Sequence, residues 1–238
     1  ADLAADWYIR AGKRALSQCS LQEARRLFEK ALALLSDQDV NRIWRATLGH
    51  DEAVGMLGEV QARHADDMTL LELAKKLEDE KKLTEAYYRV GSQANSEGNH
   101  RVALRAFDHA LDIAGRNKDL MMEALILPMK VTILTSEGDL KTAGSLVDKA
   151  QDLARQTENP NILARALNNI APYYQMIGDI SKSIALMQEQ IDINQQQGNR
   201  LGETYGLINL GYFYLGLGHF ENAHRLLERA YQIAQSLS

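Results

Sequence analysis

The chain has 238 residues, 45% of them hydrophobic, with a formal net charge of −5 and a pI near 5.7. That length can bury a sizeable core, and the acidic balance offers none of the clustered Lys and Arg that contact with nucleic acid requires. No apolar run approaches the ~20 residues of a membrane span and no signal peptide opens the chain, while the single Cys19 rules out an internal disulfide framework and fits a reducing, cytoplasmic setting. The sequence opens on Ala1 rather than Met, which fits a piece of a longer protein.

The first helical pattern carries Trp7, Tyr8, Ala11, Gly12, Ala15 and Leu16 and turns at Gln18-Cys19-Ser20. A second runs through Leu21, Ala24, Leu27, Phe28, Ala31, Leu32 and Leu35 on one apolar face. The next pair is the most degenerate. Its first helix is expected from about 40 to 57, with Ile43, Trp44, Leu48 and Val54 inward and Gly49 and Gly55 weakening it by about 0.5–1 kcal/mol each relative to alanine. Its partner, about 59 to 77, places Arg63 where other units have Ala or Ser, so looser packing is expected there. The third pair restores the pattern with Tyr87, Val90, Gly91 and Ala94, then Ala103, Leu104, Phe107 and Ala110. Three further pairs follow, through Leu127, Val131, Ala143 and Val147, then Leu167, Ala171, Ser183 and Met187, then Leu207, Gly211, Ala223 and Leu227.

A fixed period underlies these pairs. Gly58, Gly98, Gly138, Gly178 and Gly218 stand forty residues apart. Each closes one helical pattern and opens the next, as a left-handed glycine cap does at a tight inter-helix turn. Self-similarity at such a period marks a repeat array. The predicted fold is all-α, a right-handed superhelix of six helical hairpins, in one domain spanning residues 1–238 with repeats near 2–37, 40–78, 79–117, 119–158, 159–198 and 199–238. The slot of Gly12 recurs as Gly91, Ala171 and Gly211, and that of Ala24 as Ala103, Ala143, Ser183 and Ala223. Small residues there let facing helices approach closely.

Gly12, Ala24, Phe28 and Ala31 resemble the small, small, aromatic and small positions of the tetratricopeptide repeat, in a version lengthened to about forty residues. More narrowly, Trp7 to Leu35 and the stretch from Leu70 to Asp79 are similar to the helical-repeat region of large bacterial signalling ATPases, including cyclase-linked proteins and maltose-regulator-like transcription activators. That resemblance implies a non-enzymatic sensor or protein-interaction segment of a larger signalling or transcription-regulatory protein. A free-standing tetratricopeptide adaptor that binds a peptide or partner protein is the alternative. No phosphate-binding Gly-rich motif ending in Lys-Ser/Thr is present in the sequence, so no ATPase activity is expected of this segment.

No catalytic constellation emerges, and no metal site or cofactor is expected. His219 and His224, five apart, stand near 140° around a helix, poor for joint ligation, and the six histidines are read as solvated or capping. Asp66 and Asp67, being adjacent, are expected to face different sides of a helix, and the sequence names no buried partner for them.

The first helix of each stacked hairpin is expected to line a groove. The groove residues are Tyr88, Arg89, Ser92 and Asn95, then Met129 and Thr132, then Asn168, Asn169 and Gln175, and finally Asn209 and Tyr212. Leu48, Gly49, Pro128 and Pro172 fall in the same register, and both prolines are expected to kink their helices. The amides and tyrosines can bond a peptide or protein partner or a small-molecule inducer. On the last helix, Phe220, Leu226, Leu227, Tyr231, Ile233 and Leu237 are expected to form an exposed apolar patch, covered by a further repeat or by self-association.

Overall fold

A computed structural model describes residues 2–236. Every regular element among them is an α-helix, and the twelve helices pair as six hairpins. The first three pairs are α1 (Asp2–Ser17) with α2 (Leu21–Leu34), α3 (Val40–Met56) with α4 (Val60–Leu77), and α5 (Glu80–Ser96) with α6 (His100–Asn117). The next three are α7 (Leu120–Ser136) with α8 (Leu140–Gln156), α9 (Pro160–Met176) with α10 (Ile180–Gln196), and α11 (Arg200–Gly216) with α12 (Phe220–Gln235). The structure divides into two compact units between Ile113 and Ala114, within α6.

The turns explain the period. All five glycines of the ladder have positive φ, from 74° to 82°, a left-handed conformation that costs an L side chain about 1–2 kcal/mol. A second ladder interleaves with the first: Glu78, Lys118, Glu158 and Gly198, with φ between 51° and 66°, mark the joints between hairpins. Cys19 does the same in the first turn, at φ 56°. The residue after each is commonly Asp or Asn, and the side chains of Asp79, Asp119, Asp139, Asn159, Asp179 and Asn199 accept backbone N–H bonds from the helix they open. Behind them the backbone closes six-to-one, as in Asp139 N to Leu134 O at 2.9 Å and Asn199 N to Asn194 O at 2.9 Å. A left-handed residue followed by a capping residue is therefore the common joint.

Inside the hairpins, the small slots are buried as the frame requires. Ala24, Ala103, Ala143, Ser183 and Ala223 are all fully buried. Phe28 rests against both Gly12 and Gly49; a Cβ on Gly12 would come within 2.8 Å of its ring, and one on Gly49 closer still. Gly49 is thus a close-approach glycine in the core of the first unit, not a groove residue, because one residue of helix turns the side-chain direction by about 100° away from Leu48. Pro128 is likewise buried rather than at the groove, while Pro172 is half-buried. Both prolines lie inside α7 and α9, which continue as helix on either side.

On α12 the expected patch is smaller than the sequence implies. Phe220 and Tyr231 are exposed, but Leu226 and Leu227 are half-buried and Ile233 is buried. Leu237 lies outside the described residues. No helix of the described residues is long and apolar enough to cross a membrane.

Candidate ligand-binding cleft

In the second compact unit, α7 packs along α9, and Thr132 Oγ1 donates to the Asn169 carbonyl at 2.8 Å. The next pair of first helices stands apart. Between α9 and α11 lie two adjoining open cavities of about 600 and 440 Å³. Across the cleft, Asn209 Nδ2 donates to Asn168 Oδ1 at 3.0 Å. Asn168, Asn169 and Asn209 line both cavities, and so form the wall they share.

The two cavities differ in chemistry. The larger has an apolar side made by Pro172, Met187, Tyr212, Phe213 and Leu217, with Thr132 and Gln175 among its polar groups. Gln175 Nε2 points to Met187 Sδ at 3.8 Å. The smaller is dominated by amides, Asn161, Gln190, Asn194 and Asn199, with Met129, Arg165 and Tyr205. Its floor is a ladder of amides that starts at the exposed Asn199 and runs inward: Asn199 Nδ2 donates to Asn194 Oδ1 at 2.8 Å, Asn194 Nδ2 to the Gln190 carbonyl at 2.8 Å, and Gln190 Nε2 to the Gly202 carbonyl at 3.3 Å. Gly202 and Gly206 make room for it, since a Cβ at either would collide with Asn194 or Gln190. Neither lining contains a carboxylate, although the chain as a whole is acidic.

Pro172 has no N–H to give the carbonyl one turn back, that of Asn168, so α9 carries an acceptor without its helical partner at the wall. Tyr205 and Tyr212, two turns apart on α11, are each about 60% exposed and each borders one cavity.

Seven of the residues singled out from the sequence, Met129, Thr132, Asn168, Asn169, Gln175, Asn209 and Tyr212, are brought together here. The other four lie on α5 in the first compact unit. Tyr88 tilts over Phe107 with ring centroids 6.4 Å apart, and Ser92 and Asn95 are half-buried. Arg89 is bonded to Asp51 and to Glu85. Gln190, Asn194 and Asn199 were absent from the sequence reading; they belong to the second helix of a hairpin and its joint, and only the close seating of α11 on α10 through two glycines brings them to the cleft.

The first unit holds a second polar centre, which corrects the reading of its acids and histidines. Asp66 and Asp67 are both buried. His50 Nδ1 lies 2.6 Å from Asp66 Oδ2, and this bond holds the imidazole pKa above its ordinary value. Asp51, 2% exposed, is bonded to Arg89 and lies 3.5 Å from Arg63 Nε. Neither oxygen of Asp67 has a hydrogen-bond partner. Burial, then the neighbouring charge of Asp51, pushes its carboxyl up to about 7 against the pull of Arg89 and Arg63. Among the described residues, no group of three or more His, Cys, Asp or Glu is placed to hold a metal.

Residues 162–236, the stretch that forms most of this cleft, match the tetratricopeptide repeat family. No curated protein matches the chain at the significance required. Among solved structures, the apo form of RapI superposes with a TM-score of 0.83 at 10% identity, covering 98% of this chain and 84% of that one. Aspartyl phosphate phosphatase F from Bacillus subtilis gives 0.76 at 11% identity, over 97% of this chain and 60% of that one. A Rap protein complexed with competence and sporulation factor gives 0.65 at 14% identity, over 99% and 76%. The chain therefore has the tetratricopeptide-like fold of stacked helical hairpins, and over residues 162–236 it carries that family's sequence pattern as well.

Proposed function

We propose that the chain is a non-enzymatic sensor or protein-interaction segment, which holds an extended peptide, free or part of a partner protein, in the cleft between α9 and α11. The observation that carries this reading is the shared wall of Asn168, Asn169 and Asn209. Each carboxamide both donates and accepts, as a peptide backbone does, and each can bond a backbone amide whatever its side chain. Opening the Asn209–Asn168 bond costs about 1 kcal/mol net, which two bonds to a ligand backbone offset. The likeness in fold to a Rap protein complexed with competence and sporulation factor supports ligand binding by such an array. The similarity of Trp7 to Leu35 to signalling ATPases supports a place within a larger bacterial regulatory protein. The forty-residue frame that continues through both compact units supports a single repeat array over residues 1–238.

The test is a titration followed by the side-chain amide resonances of Asn168, Asn169 and Asn209. A pool of unstructured capped heptapeptides is expected to shift these three before other amides. Shifts produced only by small sugars or free amino acids, with the peptides inert, would replace the peptide reading with that of a small-molecule inducer.

A further inference from the structure

The two halves of the cleft are chemically unlike, and the wall between them is built of amides that read backbone. Resting on the peptide reading above, we infer that the cleft selects its ligand by two side chains of one extended segment: an apolar or aromatic one in the larger cavity and an amide or carboxylate one in the smaller, with basic residues excluded from both.

An extended segment advances about 3.3 Å per residue and carries a backbone amide group between successive side chains. Asn168 and Asn209 occupy the wall common to both cavities, so a backbone bonded there directs alternate side chains to either side of it. In the larger cavity, Pro172, Met187, Phe213 and Tyr212 meet an apolar side chain. A charged one would gain no counter-ion there. In the smaller cavity, Gln190 and Asn194 are both more than nine-tenths buried and present a polar floor. Arg165, the single charged residue lining either cavity, favours an acceptor such as a carboxylate. The absence of any acidic group from both linings leaves Lys and Arg without a partner.

The experiment is a binding array of capped heptapeptides, varied at two positions whose separation is scanned, probed with the full 238-residue chain and with Arg165→Glu. Arg165 is exposed, so the substitution leaves the packing of α9 intact. Expected is enrichment of Phe, Leu or Met at one position and of Gln, Asn, Glu or Asp at the other, with Lys and Arg depleted at least tenfold at both. Arg165→Glu is expected to reverse the preference between Glu and Lys at the polar position only. Peptides that bind without a paired preference, or a reversal at both positions, overturn the selectivity while leaving the peptide reading standing. Failure of every peptide to bind overturns both.

Discussion

Asp51 Oδ1 lies 3.5 Å from Arg63 Nε, at the register where the fifth hairpin brings Ala171 and Ser183 together, with Ser183 Oγ donating to the Ala171 carbonyl at 3.1 Å. Forty residues on from Asp51, Arg63 and Asp67 stand Gly91, Ala103 and Phe107, three core residues of the third hairpin. The second hairpin has therefore exchanged a small–small contact and its large apolar neighbour for three charged residues, and Arg89 from α5 completes the set. Such a centre is costly to bury and strongly coupled to protonation.

Stability should fall as pH rises through neutrality. Asp67, with its carboxyl pushed to about 7, and Asp51 and His50, both raised, bind protons more tightly folded than unfolded. The contributions of Asp67 and Asp51 are full below the ordinary carboxylate range and that of His50 below the ordinary imidazole value; for Asp67 the loss builds from the carboxylate range up to about 7. Asp79 and Asp139 are shifted the other way by their capping bonds, but they titrate below this window. Urea unfolding between pH 5 and 8 is expected to show a slope of up to about 1.4 kcal/mol per pH unit from Asp67 alone. Asp67→Asn should flatten it; an unchanged slope would contradict the assignment.

Gly49→Ala should destabilise the first unit by about 1–3 kcal/mol, because the new methyl collides with the Phe28 ring in a packed core. Adding Phe28→Leu is expected to recover part of that loss although it is destabilising alone. The double-mutant cycle, read by thermal or urea unfolding, measures this coupling.

Lys118→Gly and Glu158→Gly should each stabilise by up to about 1 kcal/mol, relieving a left-handed residue at a joint between hairpins. Gly138→Ala should do the reverse by about 1 kcal/mol, although nothing crowds its side. Denaturation midpoints of the three variants decide the point.

Glu203 is fully buried beneath Arg200, at 3.1 Å, and Arg229. Arg229→Ala is expected to cost about 1–3 kcal/mol, since it leaves one oxygen of a buried carboxylate without its guanidinium partner while Arg200 holds the other. Glu203→Gln in that background should restore most of it. The exposed pair Arg155–Glu189, with bonds of 2.8 and 2.9 Å, is expected to contribute less than about 1 kcal/mol.

The hairpin frame was legible because glycine fills one set of left-handed positions and so repeats visibly. The second set was not, because Glu78, Lys118 and Glu158 adopt the same conformation without announcing it; the signal lies in the Asp or Asn that follows. Of the charged centre only Arg63 stood out, in a slot that other units fill with Ala or Ser; its acidic partners escaped because a single Asp on a helix reads as solvated until its depth is known. Aligning Asp51, Arg63 and Asp67 with Gly91, Ala103 and Phe107 would have exposed it. For the cleft, the first-helix positions Asn168, Asn169 and Asn209 follow from helical register alone. That α9 stands off from α11 while α7 packs along α9 depends on the seating of whole helices. Gln190 and Asn194 entered the cleft by that route.

The two interleaved ladders have a consequence for how such a chain can change in length. Removing residues 159–198 would join Glu158 to Asn199, and the seam would again be a left-handed residue followed by an amide cap. Losing or duplicating forty codons between matching joints thus adds no strain beyond what each joint already carries. The α9–α11 cleft and the Asp51–Arg63–Asp67 centre do not share this freedom, since each depends on which hairpin stands beside which. The order of the hairpins, more than their number, is where selection on this chain can act.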